Sequence, residues 1–225
     1  MTAAKSAGRL VAALLLTQMI ASPIVNFALL APIFKPPGFL EQSAAHANAI
    51  STAAVLGIAS GALSVGIAIA TWPVFRRHSE AMALWLFAIA VAAFVANIVE
   101  QSQTLAMLSL GKAYAASNGA DAEVFRRIAA QVGSARYMAH LMGLVGGGSI
   151  AFVLYLASLR FALVPRWLAG IGIVAALLEI VSVSLPFFGC DIVFPLLAPL
   201  GLAHLGLIVW LFARGFADRP PAPAA

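Results

Sequence analysis

Six apolar stretches, each long enough to cross a bilayer, fill this chain, and nearly all of its charge falls in the short gaps between them. A span needs about 20 mostly apolar residues. The stretches cover residues 10–33, 49–75, 81–110, 136–159, 167–188 and 192–213. In hydrocarbon a backbone must satisfy its own hydrogen bonds, which predicts helices here, and the alternating pattern of a membrane barrel is absent. The expected fold class is all-α: a polytopic bundle of six transmembrane helices forming a single integral membrane domain over residues 1–225. Only 9% of the 225 residues are charged, against roughly 25% in soluble domains. A water-soluble protein so poor in charge could not cover its own surface.

Composition excludes several function classes. The net charge of +5 comes from basic residues scattered at helix ends, so nucleic acid is not an expected partner; the lipid bilayer is. The single cysteine, Cys190, permits no internal disulfide and no cysteine-cluster metal site. No His-x-x-x-His or Glu-x-x-His spacing supports a metal, and no cofactor is expected. The run Gly146-Gly147-Gly148-Ser149 continues with Ile150 and Ala151 rather than completing Gly-x-Ser-x-Gly, so no catalytic residue is assigned. Lys5 and Arg9 precede an apolar run too long for the 7–15 residues of a signal-peptide core, which favours a retained first span.

Lys and Arg in short loops set orientation. One side of the membrane holds Lys5, Arg9, Arg76, Arg77, Arg160, Arg166, Arg214 and Arg219. The other holds Lys35, Lys112, Arg126, Arg127 and Arg136, beside Glu41, Asp121, Glu123 and Asp191. The first set is the larger and places both termini in the cytoplasm of a bacterial inner membrane. Two outer loops are long. The first contains the helix-breaking Pro36-Pro37-Gly38. The second, residues 121–132, carries apolar Val124, Phe125, Ile128 and Val132 at helical spacing; it reads either as an interfacial amphipathic helix with Asp121 as its cap or as an extension of the fourth span. The proline-rich tail from Arg219 onward is expected to be disordered.

Ionisable and polar groups inside spans are expensive, and so informative. Asn97, Glu100, Gln101 and Thr104 share one face of the third helix, and Gln18, Ser22 and Asn26 form a stripe on the first. Arg136 and His140 lie one turn apart at the start of the fourth. At 1.5 Å per residue, Glu179 on the fifth helix and His204 on the sixth both fall near mid-membrane. A tight turn around Cys190 would set them opposite each other. The candidate cavity is thus lined by Glu179 and His204 at its floor and by Glu100, Arg136 and His140 at its mouth, with Asn97, Gln101 and Asn26 along its walls. A plain outer-surface ion pair is the blander expectation for Glu100 with Arg136, and packing glue for the Gln18 stripe. Gly57, Gly61 and Ser64, and Gly143 with Gly147, are small-xxx-small patterns that serve assembly within the bundle or between copies in a homo-oligomer.

Three stretches carry a family likeness: Ser6-Ala7-Gly8-Arg9-Leu10, Leu163-Val164-Pro165-Arg166-Trp167-Leu168-Ala169-Gly170-Ile171-Gly172, and Trp210-Leu211-Phe212-Ala213-Arg214-Gly215-Phe216. Together they resemble the bacterial membrane family known as domain of unknown function 4386. The resemblance implies a six-helix integral membrane protein and brings no reaction, ligand or site with it. Two functions from different classes follow from the residues: a small-molecule or ion binding protein or carrier with an outward-open polar cavity, and a non-catalytic membrane subunit or scaffold whose intramembrane polar groups only hold helices together. A membrane enzyme is the weakest of the readings, since no nucleophile motif is present.

Overall fold

The computed structural model describes residues 2–117 and 119–218; the expected disordered tail lies outside them. Seven α-helices occur: α1 (Ala3–Pro23), α2 (Phe39–Gln42), α3 (Ala47–Phe75), α4 (Glu80–Ala116), α5 (Ala122–Arg160), α6 (Arg166–Ser184) and α7 (Ala198–Arg214). No strand occurs among the described residues. Six segments are long and apolar enough to cross a membrane, all but the short α2 contributing one each. The chain is an all-helical, multi-pass membrane protein. Its lipid-facing surface is apolar, with Phe27 78% exposed and Val55, Leu202 and Val209 similarly bare.

Chain order and spatial order coincide. α1 packs on α3, α3 on α4, α4 on α5, α5 on α6, α6 on α7, and α7 returns to α1, so the six long helices close a ring. An even number of crossings brings both ends of the chain to one end of that ring. Glycines make the closure possible: a Cβ on Gly8 would lie 2.5 Å from the backbone nitrogen of Phe216, and Gly215 adopts φ +69 with no room for a Cβ against Lys5 Cα. His78, between α3 and α4, stacks on the Phe161 ring at 4.8 Å; burial, and then the nearby Arg77 charge, hold its imidazole below the ordinary value.

Local sequence explains the irregularities. Pro23 cannot donate to the helical ladder, and beyond it the first span continues through a π-helical turn, Ile24–Leu30, in which Ala31 N–H donates to Asn26 O. Such turns recur at functional sites. Residues 121–132 are continuous with the fourth span, so α5 runs unbroken for 39 residues. Asp121 precedes it in a left-handed conformation and makes no side-chain cap. α4 and α5 are about 55 and 58 Å long at 1.5 Å per residue, against about 30 Å of hydrocarbon. Their links to α3 and α6 are short, so the excess emerges at the end away from the termini. There Ser43, from the segment carrying α2, packs on Gly111, where a Cβ would lie 2.6 Å from the Ser43 Cβ.

Two apolar clusters form the core. The larger lies toward the termini and includes Leu15, Ile67, Ala90 and Ile150; the smaller includes Val25, Leu30, Ile50, Ala53 and Leu108. Gly8→Val should lower the detergent melting temperature by an amount equivalent to about 1–3 kcal/mol, the usual cost of overpacking, because its neighbour is backbone. Gly170→Ala, with nothing within 4 Å of the new methyl, should hold or raise it, by up to about 1 kcal/mol.

Candidate functional site

Between the two apolar clusters each of four helices presents its polar residues. On the first span these run from Gln18 on α1 to Asn26 in the π-helical turn, on α3 from Gly57 to Ser64, on α4 from Asn97 to Gln101, and on α5 from His140 to Gly147. They enclose a cavity of about 260 Å³, room for roughly nine waters at about 30 Å³ each.

Its charged wall is built by two antiparallel helices. On α4, Glu100 and Thr104 stand one turn apart; on α5, so do Arg136 and His140. Glu100 Oε1 accepts from Arg136 Nη2 at 3.1 Å and from His140 Nδ1 at 3.0 Å. Arg136 Nε donates to Thr104 Oγ1 at 3.1 Å, and that hydroxyl donates to the Glu100 carbonyl at 3.0 Å. The Phe34 ring, from the end of the first span, lies 5.1 Å from the guanidinium carbon. This corrects the expectation of a surface ion pair. The Glu100 side chain is 9% exposed and that of Arg136 11%, because α4 and α5 continue well past this level and Phe34 covers the remaining side.

The carboxamides beside it are unlike the rest of the wall. Gln101 is 3% exposed, and its Oε1, with Asn97 Oδ1, is buried without a hydrogen-bond partner. Both amides lie directly on glycine: a Cβ on Gly57 would sit 2.6 Å from Gln101 Cδ, and one on Gly61 2.7 Å from Asn97 Oδ1. A buried, unpaired polar group costs about 1–3 kcal/mol. Glu100 Oε2 and His140 Nε2 take no part in the bonds of this cluster. The Gln18 amide nitrogen, in contrast, donates to Ser60 O at 2.9 Å and to Ser64 Oγ at 2.8 Å. It ties α1 to α3. Asn26, in the π-helical turn, donates back to Ser22 O on α1 at 3.0 Å and borders the cavity.

Glu179 and His204 line a second cavity of about 380 Å³, which shares Gln18, Ser22, Ser64 and Gly147 with the first. They do not pair. His204 Nδ1 donates to Leu200 O on its own helix at 2.9 Å, and its ring meets Tyr155 edge-on at 5.7 Å. The register expected from a tight turn at Cys190 fails because α6 ends at Ser184 and α7 begins only at Ala198, with two short 3₁₀ turns between. Asp191 is exposed in that connection, away from the Glu100 group. Among the described residues no three His, Cys, Asp or Glu side chains converge as a metal site would require.

Sequence reasoning overlooked Phe34 and Tyr155. Phe34 offers no signal short of its contact, whereas Tyr155 on an otherwise apolar helix face is visible as a hydroxyl in hydrocarbon; it is fully buried, with its oxygen unpartnered. The α5 glycines were also misread. Gly143 and Gly147 face open space, while Gly146 meets Ala93 and Gly148 meets Ile180. One residue is a rotation of about 100°, which separates a helix contact from a cavity wall.

Over residues 10–215 the chain matches the family described as domain of unknown function (DUF4386). It belongs to that family. No curated protein and no solved structure is similar enough to count as a match. The DUF4386 match extends across all six spans and thus takes in both cavities, but it carries no activity to transfer.

Glu100→Ala strips the partner from a buried arginine. The expected loss of stability in detergent is about 1–3 kcal/mol, between the roughly 0.6 of a neutral contact between membrane helices and the 3–5 of a stripped buried pair in water-soluble proteins. Glu100→Gln, which keeps an acceptor for Arg136, should lose less than half as much by thermal melting.

Proposed function

We propose that this integral membrane protein binds a small polar solute in the cavity between α1, α3, α4 and α5, as a binding protein or carrier. The observation that supports it is the pair of unpartnered carboxamides beside a charged cluster. Evolution of a scaffold alone would favour partners for every buried amide, since each orphan weakens the fold. The groups outside the cluster's own bonds (Glu100 Oε2, His140 Nε2, Asn97 and Gln101) suit a molecule bearing both hydrogen-bond donors and acceptors, such as an amine or a polyol. The break in α1 at Pro23 and Asn26 supports the carrier form, because carriers build their sites at interrupted helices. Glu179 and His204 belong to the deeper chamber of the same route, beyond Gln18 and Ser64.

The scaffold reading has one observation in its favour: the Gln18 bonds to α3 and the Glu100 bonds to α5 are complete interhelical ties. Asn97→Ala with Gln101→Ala separates the two readings. Both oxygens are buried without a hydrogen-bond partner, so relief of that cost offsets the packing lost against Gly57 and Gly61, and the double variant should stay folded and melt within about 2 kcal/mol of the native protein. Screened with amines, amino acids and polyols at about a hundredfold over Kd, the native protein should gain about 2.7 kcal/mol, and the double variant should gain nothing. A native protein that no solute stabilises, combined with a double variant that unfolds, would instead support the scaffold.

The basic residues at the end holding the termini support a cytoplasmic placement of both, which directs the Glu100 cluster outward. Cys190 is exposed at the opposite end of the bundle. A membrane-impermeant maleimide should therefore label it in intact bacterial cells with the outer membrane permeabilised; labelling only after lysis would reverse the orientation.

A further inference from the structure

At the end holding both termini, three distant parts of the chain close around one hollow. Lys5, the α5–α6 loop from Ala162 to Arg166, and the segment from Arg214 to Asp218 line a space of about 430 Å³. Backbone contacts fix its shape. Gly215 packs on Lys5 Cα, Ala217 N–H donates to Leu163 O at 2.9 Å, and Leu163 N–H donates to Ser158 O at 2.9 Å. Two of the three stretches that carry the family resemblance line this hollow, and the third, through Gly8, packs against Phe216 behind it. Its charge is unbalanced: Lys5, Arg166 and Arg214 face one carboxylate, Asp218, and none of the three cations forms an ion pair among the described residues.

An apolar groove of about 510 Å³ adjoins the hollow on the outer surface of α6 and α7. Trp167, Leu205 and Val209 wall it, and Gly206, having no side chain, deepens it. The two spaces share Trp210 and Arg214. A basic hollow at the helix ends that opens into an apolar groove running into the hydrocarbon has the charge and polarity profile of one molecule, an anionic phospholipid. Indole rings favour the headgroup level, and basic pockets between transmembrane helices suit anionic headgroups.

We propose that this is a specific site for an anionic phospholipid, its phosphate held among Lys5, Arg166 and Arg214 and one acyl chain laid along α6 and α7. A zwitterionic lipid brings its own cation to a hollow that already has three, and free phosphate leaves the groove empty. Native mass spectrometry of the full chain, titrated with phosphatidylglycerol, phosphatidylcholine and glycerol phosphate, tests this. The native protein should retain phosphatidylglycerol at least tenfold more tightly than either of the others. R166Q/R214Q should weaken it about 30-fold, at about 1 kcal/mol per basic residue, while R76Q/R77Q, at the same end but outside the hollow, should leave it unchanged. Leu205→Ser with Val209→Ser, exposed groove positions that leave the close Gly206–Leu168 approach intact, should strip the apolar wall and weaken phosphatidylglycerol about tenfold without altering glycerol phosphate, with helicity by circular dichroism confirming that each variant is folded. A preference that survives R166Q/R214Q, or that R76Q/R77Q removes equally, overturns the site. Glycerol phosphate bound as tightly as the whole lipid overturns the role of the groove.

Discussion

Burying a carboxylate among apolar helices is costly unless it is paired, and the arrangement of the upper half of this bundle follows from how Glu100 is met. Its single oxygen Oε1 receives both Arg136 and His140, which sets the rotation and the register of α5 on α4 together. Arg136 then needs further partners of its own, and finds Thr104 and the face of Phe34. That last contact reaches the end of the first span, so one charge fixes the relation of three spans.

The cavity exists because small residues hold helices close above and below it while contributing no volume inside it. Gly57 and Gly61 admit the carboxamides of Gln101 and Asn97 edge-to-backbone. Gly146 lets α5 touch Ala93 on α4, while its neighbours Gly143 and Gly147 leave space. Apolar clusters on both sides seal the bundle. Without side chains to fill it, the middle layer holds a cavity lined by polar groups.

The polar stripes of this layer were legible beforehand as patterns on single helices. The faces of α1 and α4 could be read because helical period places residues three, four and seven apart together, and hydrocarbon forces such a stripe inward. Arg136 and His140 were legible for the same reason. Glu179 and His204, expected as a facing pair, line one pocket with no bond between them. Counting outward from Cys190 assumed that α-helix resumed at once, whereas prolines at 186 and 195 lie in 3₁₀ turns that lengthen the link. The small-residue pattern on α5 failed differently: Gly143, Gly146, Gly147 and Gly148 are equivalent in composition, and only the neighbours decide which one is a contact.

By itself the sequence determined that this chain lives in a bilayer, crosses it six times as helices and turns its polar stripes inward, because hydropathy and hydrogen-bond satisfaction act on each segment alone. Only the tertiary structure decided which stripe meets which. The pairing of Glu100 with Arg136 and His140, the isolation of His204 against Tyr155, and the convergence of Lys5, Arg166 and Arg214 on one hollow all depend on the distance and rotation between helices. Those quantities are set by contacts between helices, among them the packing of α7 on α1 from opposite ends of the chain, that no local pattern encodes.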